Sequence, residues 1–130
     1  MDVKSKVAIS EIRTVAIAVT DHERSIDFYV NKLGFEKRLD VPFGPGQRWV
    51  EVAPASSATT LALAPEGPTS HAGSDTGIRF QTDDADALHA RLKASGVDAD
   101  PEVMRLGPGV PPMFSFRDPD GNRLYVVEGS

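Results

Sequence analysis

A chain of 130 residues is long enough for one domain with a real apolar core. It contains no cysteine, which excludes disulfides and thiolate metal sites, and its formal net charge of −5 with no basic cluster argues against a nucleic-acid surface. The longest apolar run, residues 15–19, is too short to span a membrane, and no apolar stretch of signal-peptide type follows the N-terminus, so a single cytoplasmic domain over 1–130 is expected.

Residues 12–19 alternate Val15, Ile17 and Val19 with Thr14, Ala16 and Ala18, the period of a strand buried on one side. Thr20 or Asp21 then caps a helix, with Thr20 and Glu23 at capping-box spacing. Ile26, Tyr29, Val30 and Leu33 recur at helical spacing, and Gly34 ends the helix. Strands follow at 35–41, 48–53 and 59–64, the first two joined through Phe43-Gly44-Pro45-Gly46. A linker rich in Pro, Gly and Ser, carrying His71, occupies 65–74.

The pattern then begins again. Residues 76–82 read as a strand, Asp83 or Asp84 caps a helix that ends at Gly96, and 103–106 read as a weak strand. After a loop at 107–112, the chain closes on a hairpin at 113–128 whose turn is Asp118-Pro119-Asp120-Gly121. Pro119 presets φ, the Asp side chains accept from nearby backbone N–H groups, and Gly121 supplies φ > 0. Strand, helix and three strands, twice over, form an internal repeat, with modules at about 10–65 and 75–128. The fold class is therefore α+β, two tandem βαβββ modules.

Strand parity separates two faces. Val15, Ile17, Val50, Val52, Leu61, Leu63, Ile78, Phe80, Phe114, Phe116, Leu124 and Val126 belong under the helices. The opposite face carries Thr14, Ala16, Ala18, Trp49, Glu51, Thr60, Ala62, Gly77, Arg79, Gln81, Met113, Ser115, Arg123 and Tyr125, which are small, polar or aromatic. A sheet curved around a cavity accounts for that mixture, a half-exposed antiparallel sheet being the plainer reading. In such a cavity Trp49, Phe43, Met113 and Tyr125 supply apolar and stacking contacts, and Arg79, Glu51 and Arg123 polar ones. Glu51 and Arg79 read as a cross-strand ion pair, the alternative being a base and an anion clamp.

The stretch from residue 12 to Gly34, with Val-Thr-Asp-His-Glu-Arg-Ser-Ile-Asp-Phe-Tyr and Leu-Gly-Phe, resembles the opening of the vicinal oxygen chelate superfamily. The second-half strand running into Asp83-Asp84 and the terminal Asp-Pro-Asp-Gly hairpin are similar to it as well. That superfamily includes glyoxalase I, methylmalonyl-CoA epimerase, extradiol dioxygenases, fosfomycin-resistance enzymes and bleomycin-resistance binding proteins. The resemblance runs over residues 12–128. It implies a curved, cup-like mixed sheet with helices on its outer face, and a homodimer whose cavity is often completed by both subunits.

The resemblance also implies four metal-ligand positions, one on each of four strands. They fall on Thr14, on or beside Ala62, on Gly77 and on Tyr125, where glyoxalase-like members place His or Glu. All four lie on the cavity face by the parity argument. His22 and His89 sit on helices and His71 in the linker, so Glu51 is the only carboxylate on that face, short of what zinc or a hard cation requires. No metal and no other cofactor is expected. Ser115 has no predictable His partner, and no catalytic residue is assigned.

Three functions remain in competition. The first is metal-free binding of a small organic molecule, as in the bleomycin-resistance branch, with the chain's net acidity suiting a cationic ligand. The second is a lyase, isomerase or dioxygenase of the same superfamily working without the usual metal site. The third is a structural or regulatory dimer with a vestigial cavity. No nucleic-acid or membrane partner is expected.

Overall fold

The computed structural model describes residues 7–129. Its first module runs β1 (Thr14–Val19), α1 (His22–Ile26), a π-helical turn (Asp27–Lys32), β2 (Glu36–Pro42), β3 (Arg48–Ala53) and β4 (Thr60–Pro65). The second runs β5 (Asp75–Thr82), α2 (Ala85–Ala94), β6 (Asp98–Ala99), β7 (Met113–Arg117) and β8 (Arg123–Glu128). Each module makes its own four-stranded mixed sheet, in the orders β1-β4-β3-β2 and β5-β8-β7-β6. In both, the first and last strands are parallel neighbours and the remaining pairs are antiparallel. The same topology twice is the repeat expected from the sequence.

Local chemistry sets the boundaries. Asp21 and Asp84 are the N-caps, each in extended backbone and each accepting from the N–H three residues on. Gly34 and Gly96 close the helical segments at φ +80 and +82, a region that costs a side chain free energy.

The first helical segment departs from a plain α-helix. After Ile26 it widens into a π turn, with Leu33 N–H bonded to Phe28 C=O, and it closes past Gly34 with Phe35 N–H bonded to Tyr29 C=O. The extra residue lets two consecutive aromatics, Phe28 and Tyr29, both enter the core. A strict 3.6-residue period places only Tyr29 there.

The sixth strand also differs from expectation. It is Asp98–Ala99, not 103–106, where Met104 makes only a bridge to Met113. Val97 is buried directly after the helix, so the chain turns onto β7 at once. The ladder continues through Asp100 N–H to Ser115 C=O and stops at Pro101, which has no N–H.

One core joins the modules. Ile17, Val50, Val52, Leu61 and Leu63 from the first sheet, Phe114, Phe116, Leu124 and Val126 from the second, and Phe28, Tyr29, Ala85 and Leu92 from the helical segments form a single buried cluster. Phe28 packs on Phe116 and Phe35 on Phe80, so module one's aromatics reach the second sheet. Because both apolar faces share this core, the other faces of the two sheets point away from it. Val15, Ile78 and Phe80 were expected inside as well but are half-buried. They lie on β1 and β5, each of which has a free edge.

Candidate functional site

The outward face of the first sheet carries a connected polar group. Glu51 and Ala62 are direct partners across β3 and β4, and Ala62 and Thr60 pair with Ala16 and Thr14 across β4 and β1. Glu51 is buried to 7% exposure, which for a carboxylate requires donors. It has two: Trp49 Nε1 donates to Oε2 at 2.7 Å and Thr60 Oγ1 to Oε1 at 2.7 Å. Those bonds, Trp49's first, outweigh burial and hold its carboxyl below the ordinary range. The Thr60 hydroxyl lies 2.8 Å from that of Thr14, which donates to Thr60 C=O at 3.2 Å. Phe43, 46% exposed in the β2–β3 turn, meets Trp49 edge-on with ring centroids 6.1 Å apart.

The second sheet's outward face is built around Tyr125. Arg79 is its register partner on β5, Ser115 its partner on β7, and Arg123 precedes it by two residues on the same face. Arg79 Cζ lies 4.7 Å from the ring centroid and Arg123 Cζ 5.9 Å. The Tyr125 hydroxyl donates to Asp75 Oδ2 at 2.6 Å. That bond raises the phenol's pKa and, with the Gly77 N–H, lowers that of Asp75. Arg123 Nε donates to Ser115 Oγ at 3.0 Å, and Ser115 N–H and Oγ both donate to Asp100 Oδ2 at 2.8 Å. Burial opposes ionisation of Asp100, but the Ser115 bonds and Arg117 prevail and its pKa is lowered. Met113 is half-buried at the start of β7.

Thr14, Phe43, Trp49, Glu51 and Ala62 thus gather on one sheet, and Gly77, Arg79, Met113, Arg123 and Tyr125 on the other. Glu51 and Arg79 do not pair within the chain. Glu51 is taken by Trp49 and Thr60, while Arg79 Nη1 donates to Gly77 C=O at 2.9 Å and stacks on Tyr125. Parity assigns a face to each residue but does not say that the two faces look away from each other. Asp75 and Asp100 carry no signal in the sequence pattern. Asp75 sits at a strand start, and Asp100 follows a two-residue strand with no alternation to mark it.

The implied metal positions do not suit a divalent cation. Thr14 and Tyr125 are neutral oxygen donors already engaged, and Ala62 has no donor. Gly77 lacks a side chain and sits at φ +69, within the interval where the β5–β8 register shifts. The histidines are elsewhere. His22 Nε2 is 2.9 Å from Leu63 C=O, His89 Nε2 is 2.6 Å from Asp100 C=O, and His71 is exposed in the linker. Among the described residues no three His, Cys, Asp or Glu side chains cluster as a metal site.

Between the β1 and β5 edges runs a groove of about 890 Å³, lined by Ile12, Val15, Pro54, Thr60, Ile78 and Phe80 among others. No helix among the described residues is long and apolar enough to cross a membrane.

Comparison with known proteins matches this architecture. The crystal structure of TnmS3, an antibiotic binding protein from Streptomyces sp. CB03234, superposes with a TM-score of 0.82 at 36% identity, over 95% of this chain and 98% of that one. A member of the glyoxalase/bleomycin resistance protein/dioxygenase superfamily from Sphaerobacter thermophilus superposes with a TM-score of 0.80 at 34% identity, over 93% and 98%. YetH, an uncharacterized protein of Bacillus subtilis, is 34% identical over 92% of this chain and 99% of its own length. The family model for the Glyoxalase/Bleomycin resistance protein/Dioxygenase superfamily matches residues 11–126, and with the repeated βαβββ topology the chain belongs to that superfamily.

Proposed function

We propose that this chain binds a small organic molecule without a metal, in a cavity assembled from the outward faces of its two kinds of sheet. The observation that carries the reading is the chemistry of the four family ligand positions. Thr14, Ala62, Gly77 and Tyr125 leave no set of donors for a divalent ion, while the residues around them keep aromatic and hydrogen-bonding character. Glu51, the register partner of Ala62, has each of its two oxygens engaged by a donor, so it serves as a fixed acceptor for Trp49 and not as a proton carrier. The similarity to TnmS3, described as an antibiotic binding protein, supports sequestration over catalysis.

The working form is a homodimer in the cytoplasm. Each sheet's outward face points away from the shared core, so one chain presents two half-cups and the first sheet of one copy needs the second sheet of another to face it. Free edges on β1 and β5, and half-exposed Val15, Ile78 and Phe80 beside the groove, support the edges as the place of contact.

Two measurements test the reading. Metal analysis of purified protein never exposed to chelator is expected to find no stoichiometric divalent ion, and finding one sinks the metal-free assignment. A thermal-shift screen across chemical classes, read in parallel by fluorescence of Trp49, the single tryptophan, is expected to give saturable binders. A screen with no response from any class overturns the binding function.

A further inference from the structure

The patch around Tyr125 carries an arginine, Arg79, that makes no salt bridge among the described residues. Arg79 is held by its Nη1 bond to Gly77 C=O at 2.9 Å and by the Tyr125 ring beneath it at 4.7 Å. A guanidinium has five N–H donors in a planar fork. The others on Arg79 have no acceptor among the described residues, and no carboxylate makes a salt bridge with it there.

The two carboxylates of this face spend their hydrogen bonds on other donors, although Asp75 lies near enough for the charges of Arg123 and Arg79 to favour its ionised form. Asp75 accepts from the Tyr125 hydroxyl and from Gly77 N–H. Asp100 accepts from Ser115 twice and pairs with Arg117 at 3.2 Å and Arg123 at 3.8 Å. Ser115 also fixes Arg123 from the side. The patch is therefore a braced platform. One aromatic ring is tied down at its hydroxyl, one arginine is pinned, and a second arginine stacks on the ring with unsatisfied donors turned outward.

We propose that this platform selects an aromatic carboxylate, the acid pairing with the free donors of Arg79 and the flat ring system lying beside the Arg79–Tyr125 stack. The proposal rests on the small-molecule reading above and names the ligand class for that site. A guanidinium fork matches a carboxylate with two parallel hydrogen bonds, and the aromatic beneath it keeps the fork flat and ready. The chain's net charge of −5 is no obstacle. Recognition depends on the groups in contact with the ligand, and more distant surface charge is screened within about 10 Å.

Calorimetric titration of the whole protein with naphthalene-2-carboxylate, naphthalene-2-carboxamide and 2-naphthylmethylammonium tests it. The three probes share a ring and differ in charge. The carboxylate is expected to bind at least about tenfold more tightly than the carboxamide, as a charge-assisted bond requires, and the ammonium least tightly. Arg79→Gln should erase the preference for carboxylate over carboxamide. Arg91→Gln, an equal charge loss on exposed α2, should keep it.

The inference is overturned if the carboxylate fails to bind, if the carboxamide or ammonium binds as tightly, or if Arg79→Gln leaves the preference intact. Carboxamide binding with no advantage for the acid refutes the ligand class while leaving a small-molecule site standing. Failure of that broader reading shows separately, as silence across the thermal-shift screen.

Discussion

The Tyr29 hydroxyl donates to Asp118 Oδ2 at 2.8 Å, and both side chains are buried. Tyr29 belongs to the helical segment of module one and Asp118 to the β7–β8 turn of module two. The turn is tied further to module one by Asn122, whose Nδ2 donates to Ala18 C=O at 2.8 Å and to Asp118 Oδ2 at 3.0 Å. Tyr29→Phe removes one donor from a buried acid while leaving the ring in the core. It should cost about 1–3 kcal/mol at neutral pH, the usual penalty for a deprived buried group, read as a lower urea midpoint with an unchanged slope.

The same pair predicts a pH dependence. Burial first, and then the Asp118 charge, push the Tyr29 hydroxyl well above its ordinary value of 10.0. Below that value the proton is held in both folded and unfolded chains, and its contribution to stability is complete. Above it the unfolded chain ionises first, so stability falls with rising pH until the folded value is passed. Denaturation midpoints should therefore decline through the alkaline range in the unaltered protein and decline less in Tyr29→Phe. Parallel declines would mean that another group carries the effect.

Glu51 gives the opposite sign. Its pKa lies below the ordinary 4.5 because Trp49 and Thr60 donate to it. The stability it contributes is present above the unfolded carboxylate value and is lost as pH falls through the folded one. Trp49 reports the change directly, since its indole N–H is one of the donors. Glu51→Gln presents an amide NH₂ where a donor already points and should destabilise the fold by about 1–3 kcal/mol. It should also remove the acid transition in Trp49 fluorescence that precedes unfolding, and persistence of that transition would assign it to another carboxylate.

Much of this fold could be read from residue order because the signals were local. Asp21, Asp84, Gly34 and Gly96 mark helical ends by their own chemistry, and the alternation in 113–128 separates Phe114, Phe116, Leu124 and Val126 from Ser115, Arg123 and Tyr125 without reference to anything distant. What was not legible depended on partners far along the chain. The π turn exists because Phe28 and Tyr29 both find room against module two, which no helical period encodes. The supposed Glu51–Arg79 pair failed for the same reason. The period of two assigns each residue to a face, but only the shared core determines which way the faces look. Asp100 was missed because its role comes from Ser115, Arg117 and Arg123 on neighbouring strands.

Gly77 offers a test of the metal position that the resemblance implies. A Cβ placed there would meet nothing within 4 Å, so crowding does not explain the glycine. The backbone does: φ is +69, where L side chains are strained. Gly77→Ala should therefore destabilise by about 1–2 kcal/mol despite the open space. Gly77→His should cost a similar amount and confer no zinc-dependent rise in melting temperature. A neutral Gly77→Ala would show that the β5 irregularity relaxes freely and would reopen this position to side-chain ligands.

Ile12 tests the proposed assembly. It is 69% exposed and lines the groove between β1 and β5, while its carbonyl is anchored by Thr59 Oγ1 at 2.7 Å. Ile12 adds exposed apolar surface to the half-buried Val15, Ile78 and Phe80 beside two free strand edges, the kind of patch that a second copy covers. Light scattering should give a dimer mass for the unaltered protein. Ile12→Asp places a charge in the groove without touching the core, so it should shift the mass toward monomer and weaken binding of any ligand found by the thermal-shift screen. Stability of the monomeric fold should change by no more than about 0.5 kcal/mol, as for other surface substitutions. A strictly monomeric mass for the unaltered protein would refute the two-copy cavity, and full ligand affinity in a monomeric Ile12→Asp would place the whole site within one chain.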